Sequence, residues 1–376
     1  MTPRDLALFH AHGGRVEAAR AAFGGADWID LSTGIAPWAW PVAGVDPGWE
    51  RLPEPGAIAA LEAAAAAAFG VADPAQVVAV PGTDLAMRVL APLLGAKRSS
   101  LVRPGYAGHL AAWPDAVAVL ADAVDALAGG QALPHPTRHP GLGPGSTVPR
   151  DQGPADTHPG GPRAKPGVTA GFAERGALND ADLLVLASPA NPDGRVTDPA
   201  LLRALAATMT VVVDEAYADP APALCPHASD RLIVLRSFGK FYGLPGVRLG
   251  FVVAGQNLAT RLRTLLGDWP VSSAAVAIGT AGYRDDRWRQ AQASRIAETG
   301  TLLDEVLRDA GLDLIGHAPL FRLIACKAAT RLFETLARHA ILTRPFADQP
   351  DRLRIGLPRG AAGLVRLATA LEEFPR

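Results

Sequence analysis

The sequence predicts an α/β fold: a large domain on a mostly parallel sheet flanked by helices, followed by a smaller α+β domain. Three apolar runs carry that prediction: residues 181–187 (ADLLVLA), Thr210 to Val213 (TVVV) and Leu232 to Leu235 (LIVL). Each is unbroken and rich in Leu, Ile or Val, as strands buried on both faces of a parallel sheet are. Polar or Gly/Pro-containing turns follow them, and a helical pattern from Asp198 to Ala207 separates the first two. Strands alternating with helices are the signature of this class.

Size and charge narrow the possibilities. A chain of 376 residues is long enough for two subdomains. A formal net charge of -1 provides no electrostatic case for nucleic acid or an anionic membrane as partner. No stretch approaches the roughly 20 uncharged apolar residues of a membrane span, and the alanines at 63–68 sit inside a capped helical pattern. Cys225 and Cys326 lie far apart without metal-ligand spacing, which predicts reduced thiols and a cytoplasmic setting. The opening residues MTPRDLALFHAHGG lack the apolar centre of a signal peptide.

In chain order, the ordered part is expected to open at His12-Gly13-Gly14, with a helix from Arg15 to Phe23 and an extended, turn-rich stretch, DWIDLSTGIAPWAWP. A helix is predicted from about Ala57 to Phe69, a strand from Gln76 to Val80, and a helix from the Gly82-Thr83-Asp84 turn to Leu94. That turn is either an ordinary helix cap or a phosphate cradle, since a helix start offers free N–H groups and the positive end of the dipole. Strand Ser100 to Val102 ends at Arg103-Pro104-Gly105-Tyr106. Residues 129–176 are dominated by Pro, Gly and His, and a segment so poor in large apolar residues predicts a disordered insertion. Its histidines, His135, His139 and His158, are irregularly spaced even if His109 joins them, so no metal site is expected. Beyond Val253 the pattern turns helical (258–266, 273–283, 286–310). Strands at 312–315 and 320–325, a helix at 328–339 and a strand at 353–356 complete the smaller unit.

The chemistry concentrates in Arg236 to Gly250, RSFGKFYGLPGVRLG. Ser237 stands three residues before Lys240, and Arg248 eight residues after it. Phe238, Phe241, Tyr242 and Leu244 crowd the lysine in sequence, and apolar crowding beside an arginine makes an ammonium costly and the free amine favoured. A free amine is what an imine with an aldehyde requires. Ser237 and Arg248 suit a phosphate. An aldehyde and a phosphate on one small molecule suggest pyridoxal 5'-phosphate. Asp214, ending a buried strand, sits where α/β sheets place ligands, and there it would keep a pyridine nitrogen protonated.

SFGKFYGLPGVRLGF and DEAYAD resemble the cofactor segments of fold-type I pyridoxal phosphate enzymes, the aspartate aminotransferase superfamily. Within it, the HGG arm, DLSTGI and LPEPGA are most similar to the threonine-phosphate decarboxylases of cobalamin biosynthesis, close to the histidinol-phosphate aminotransferases. The resemblance implies that Gly82, Thr83, Asp84, Ser237 and Arg248 hold the cofactor, that Tyr106 stacks on its ring, and that Asn191 and Tyr217 bond its phenolic oxygen. It implies that Lys240 is the catalytic lysine. It further implies that Arg354 grips the substrate's α-carboxylate, that Arg344 lies beside its distal anion, and that His12, Ser32, Thr33 and Gly34 of a folded-over arm help bind it. The implied substrate is L-threonine O-3-phosphate, and the implied assembly a homodimer. The implied domains are an arm at 1–40, a large domain at 41–265 and a small one at 266–376. Ala36, Leu52 and Ala190 depart from the family's Asn, Tyr and Asn. Two other readings keep much of this site: a histidinol-phosphate-type aminotransferase, and a non-catalytic aminotransferase-like binding module. Against the latter, no helix-turn-helix precedes the fold.

Overall fold

A computed structural model of the chain describes residues 3–127, 176–221 and 223–374. Its centre is a seven-stranded sheet of β2 (Val77–Val80), β3 (Ser99–Arg103), β4 (Val117–Leu120), β5 (Leu183–Ala187), β6 (Thr210–Asp214), β7 (Leu232–Ser237) and β8 (Gly250–Val253). The spatial order is β2-β8-β7-β6-β5-β3-β4. The ladders from β7 through β6, β5 and β3 to β4 are parallel, and β8 runs antiparallel to both its neighbours. Side chains alternate between the faces: Val211, Val213, Leu232 and Val234 enter one apolar cluster, and Val212, Ile233 and Leu235 the other. Each such side chain contributes about 1.5–3 kcal/mol on burial, which is why no polar residue interrupts 211–213 or 232–235.

Both catalytically suggestive strands run one or two residues further than the apolar pattern predicts. β6 includes Asp214 and β7 includes Ser237, so backbone pairing holds each at the rim of the sheet. The predicted insertion at 129–176 lies, apart from Gly176, outside the described residues, as do His135, His139 and His158.

Order does not begin at His12. A helix, Pro3–Ala11, precedes it, with Phe9 packed 5.2 Å from Phe333 and 6.4 Å from Phe23. A helix of nine residues is marginal alone and persists because its apolar face is covered. After a second helix, Val16–Phe23, β1 (Ile29–Asp30) pairs in parallel with β11 (Ile341–Leu342). These N-terminal elements therefore join the C-terminal unit, whose antiparallel sheet has the order β12-β13-β10-β9, from β9 (Asp313–Ala318), β10 (Phe321–Ala325), β12 (Arg344–Pro345) and β13 (Arg352–Gly356). The sequence pattern left out a C-terminal helix, Gly360–Glu372. The helix Ser273–Arg284, although it follows residue 265, packs on Pro55–Phe69: a Cβ on Gly279 would meet Leu249 at 2.4 Å and Leu61 at 2.8 Å.

Candidate active site

A cavity of about 550 Å³ opens where the carboxyl ends of β3, β5, β6 and β7 face β12 and β13. Gly82, Thr83, Asp84, Tyr106, Asn191, Asp214, Tyr217, Ser237, Lys240 and Arg248 line it, as do His12, Thr33, Arg344 and Arg354. Ser32 and Gly34 stand behind the wall. Ser32 is buried; its hydroxyl accepts from the Gly14 N–H (2.8 Å) and donates to Asp30 (2.5 Å). Gly34 has φ +60 and is packed against Tyr217 and Phe321, so that a Cβ would come 3.1 Å from the Tyr217 hydroxyl.

One end of the cavity is built from close backbone approach. Gly82 has φ +95, and a Cβ there would stand 2.5 Å from Arg248 Nη2, so glycine is what lets the guanidinium lie over the start of helix Thr83–Leu94. Arg248 itself is in the left-handed region (φ 53), an uncommon conformation for a residue with a Cβ; its Nη1 donates to the Pro245 carbonyl at 3.2 Å. A helix N-terminus, a hydroxyl from Ser237 and this guanidinium form a donor set for a phosphate.

At the floor, Asp214 is buried and its Oδ2 lies 3.2 Å from His109 Nε2, while its Oδ1 accepts from the Ala216 N–H at 3.1 Å. The next residue, Glu215, belongs to a separate network. Wholly buried Arg236 donates to the Glu215 carbonyl (3.2 Å), to Glu215 Oε2 (3.3 Å) and to Asp219 Oδ1 (2.5 Å), which anchors the turn carrying Asp214 and Tyr217. Burial raises the two carboxyls even against the guanidinium.

Lys240 Nζ lies 3.5 Å from the Thr33 carbonyl and 5.5 Å from the centre of the Tyr217 ring. The aromatic that meets Nζ is thus Tyr217. Phe238 and Tyr242, its neighbours in sequence, stack on each other at 4.2 Å and turn to Tyr283 and Trp288. Burial would raise the Tyr217 phenol, but Lys240 and Arg354 outweigh it, and the net direction is down. Tyr106 goes the other way, to about 12, through burial and the carboxylate of Asp84, to which its hydroxyl donates at 3.1 Å.

The opposite end is cationic. Arg354 donates to Asn191 Oδ1 (2.7 Å) and to the Ser32 carbonyl (2.6 Å), with its guanidinium 4.9 Å from the centre of the Phe321 ring. Arg344 pairs in register with Arg354 across β12 and β13, and burial, Arg354 and Arg15 lower it to about 10.

The family model for aminotransferases of class I and II matches residues 173–370. The chain belongs to that family. The chain is 33% identical to a threonine-phosphate decarboxylase of Pseudomonas aeruginosa, over 96% of its own length and 97% of the relative's. It is 35% identical to a second one, from a Sinorhizobium species, over 96% and 98%. Its fold superposes with a TM-score of 0.71 on histidinol-phosphate aminotransferase from Sinorhizobium meliloti in complex with pyridoxal-5'-phosphate, at 21% identity and covering 95% of this chain and 93% of that one.

Two residues of this aminotransferase-family site escaped the sequence reading. His109 registered only as a candidate metal ligand, yet it is bonded to Asp214; among the described residues no cluster of His, Cys, Asp and Glu could hold a metal ion. Its one signal was its position three residues past Tyr106, which caps the short helix Ala107–Ala112 that carries it. His10 lies on the cavity wall two residues before the noted His12. Its placement depends on the first helix, which the apolar pattern did not predict.

Proposed function

We propose that the protein is a pyridoxal 5'-phosphate-dependent decarboxylase of L-threonine O-3-phosphate, releasing CO2 and (R)-1-aminopropan-2-ol O-2-phosphate for cobalamin biosynthesis. The observation that carries this is the two-ended cavity: Lys240 stands between a phosphate cradle with a buried carboxylate and a pole of arginines. The near full-length likeness to two threonine-phosphate decarboxylases supports the choice of reaction.

The residues present fit the cofactor. Gly82, Thr83, Asp84, Ser237 and Arg248 surround the place for its phosphate, a cradle that a Cβ on residue 82 would fill. Tyr106 would cover the ring, Asp214 would face its nitrogen, and Asn191 and Tyr217 its phenolic oxygen. When bound, the cofactor withdraws electrons from the bonds at the substrate's α-carbon, so that the substituent held perpendicular to the ring leaves.

The chain's own groups then decide the outcome. Arg354, already aimed by Asn191 and Ser32, offers a fork to the α-carboxylate and sets its angle. Arg344 takes the distal phosphate, with His12 and Thr33 on that side, while Ser32 and Gly34 act from behind the wall, Ser32 through its carbonyl on Arg354. Asp214, backed by His109, would face the ring nitrogen and favour its protonated form. Lys240 Nζ would return a proton to the α-carbon after CO2 departs.

The proposed assembly is a cytoplasmic homodimer. Trp49, Leu52 and Trp269 are 74%, 64% and 57% exposed, on stretches tied together by the hydrogen bond from Ser273 to the Gly48 carbonyl (2.8 Å). Exposed apolar groups of this size are a basis for association. Among the described residues no helix is long and apolar enough to cross a membrane.

The test is purified protein with the cofactor and L-threonine O-3-phosphate, followed for CO2. Release of CO2 without added 2-oxoglutarate supports the reading. Amino transfer to 2-oxoglutarate without CO2 would replace it with the aminotransferase alternative, and neither reaction would leave the binding module.

A further inference from the structure

The cavity wall holds one imidazole that the reaction above does not use. His10 sits in the last turn of helix Pro3–Ala11, half-buried and facing the cationic end. Arg344 Nη1 donates to the carbonyl of Phe9, the residue before it, at 2.5 Å, so the helix end and that arginine are held together. Phe9, packed on Phe333, keeps the helix from withdrawing.

This end is crowded with like charge. Arg344 feels Arg354 and Arg15, and Asp348, a carboxylate acting on it, also lies 3.9 Å from Arg103. Burial and Arg344 both push the imidazole below its ordinary range. Arg354 with its paired carbonyl and amide is arranged for one carboxylate. His10 and Arg344 line the same cavity beside it, and an anion carrying two charges relieves more of the repulsion between Arg344, Arg354 and Arg15 than one carrying a single charge.

We propose that His10 is a specificity-determining residue, its ring N–H bonding the substrate's distal phosphate beside Arg344 and thereby favouring a phosphate dianion over a monoanionic or neutral group. This rests on the substrate reading above and deepens it.

Ligands without a carboxylate to lose separate the two ideas. Holoenzyme is titrated calorimetrically with O-phosphoethanolamine, ethanolamine O-sulfate and ethanolamine, using wild type, His10→Ala and His10→Gln. Wild type should bind the phosphate ester tightest. His10→Ala should weaken that ligand about tenfold, the size of one lost hydrogen bond to a charged group, and shift the other two less than about twofold. His10→Gln, which keeps a donor, should recover part of the loss. Equal weakening of all three ligands would make His10 structural. Unchanged phosphate-ester binding in His10→Ala, or a wild type without preference for that ester, would also overturn the proposal. Failure of wild type to release CO2 from L-threonine O-3-phosphate would remove the decarboxylase reading and leave these titrations intact.

Discussion

Arg354 donates to Asn191 Oδ1 across 2.7 Å, joining an inner strand of the C-terminal sheet, β13, to the turn that follows β5. The two residues are 163 positions apart. Their bond sets the orientation of the guanidinium before any substrate arrives, and preorganisation of this kind reduces what binding must spend on ordering. Replacing Arg354 by Lys keeps the charge and loses the fork. Its expected effect is a rise in KM of about tenfold or more, measured by steady-state CO2 release. An unchanged KM would show that the α-carboxylate is held elsewhere.

Lys240→Ala should fold as the parent does and lose the visible absorbance of lysine-bound cofactor. Turnover should drop by at least about 10²–10⁴-fold, the usual worth of a positioned proton-transfer group. Borohydride reduction of the wild-type holoenzyme, followed by peptide mapping, should place the label on Lys240. A label on any other residue would reject the assignment.

The bond between His109 and Asp214 makes a second, quieter prediction. His109→Ala leaves a buried carboxylate without that partner, at a cost of about 1–3 kcal/mol, readable as a lowered urea midpoint of the apoprotein. Cofactor affinity should fall with it. His109→Gln, which retains a donor, should restore much of the stability. If His109→Ala matches wild type in both measurements, the pair contributes nothing.

Arg236 offers the sharpest stability test. It is wholly buried between Glu215 and Asp219, and removing one partner of a buried charge network costs about 3–5 kcal/mol. Arg236→Ala should therefore lower the melting temperature far more than Arg98→Ala, which breaks an exposed pair with Asp182. Similar melting points for the two variants would contradict the burial argument.

Tyr106 supplies the pH dependence. Its phenol is raised from 10.0 to about 12 by burial and Asp84, so the folded state holds a proton that the unfolded state releases first. That contribution to stability is complete below about pH 10 and disappears as the pH climbs through about 12. The urea midpoint of the apoprotein, compared with Tyr106→Phe, should show the difference between the two proteins shrinking over that interval. A difference independent of pH would place the phenol in a solvated setting.

Short-range patterns in the sequence determined five of the seven strands of the central sheet (β2, β3, β5, β6 and β7, but not β4 or β8), the turns carrying Gly82, Asn191 and Asp214, and the segment around Lys240. An apolar run or a Gly/Pro turn records its own environment within a few residues, and the resemblance of those segments led to the family. The same patterns did not show the helices Pro3–Ala11 and Gly360–Glu372. The first depends on contacts with Phe333, more than three hundred residues away in the chain. Nor could they pair His109 with Asp214, 105 positions apart, turn Phe238 and Tyr242 away from Lys240, or carry Ser32 behind the cavity wall. Those outcomes belong to the tertiary structure alone, because strand order and packing decide which distant groups share a volume too small for water to separate them.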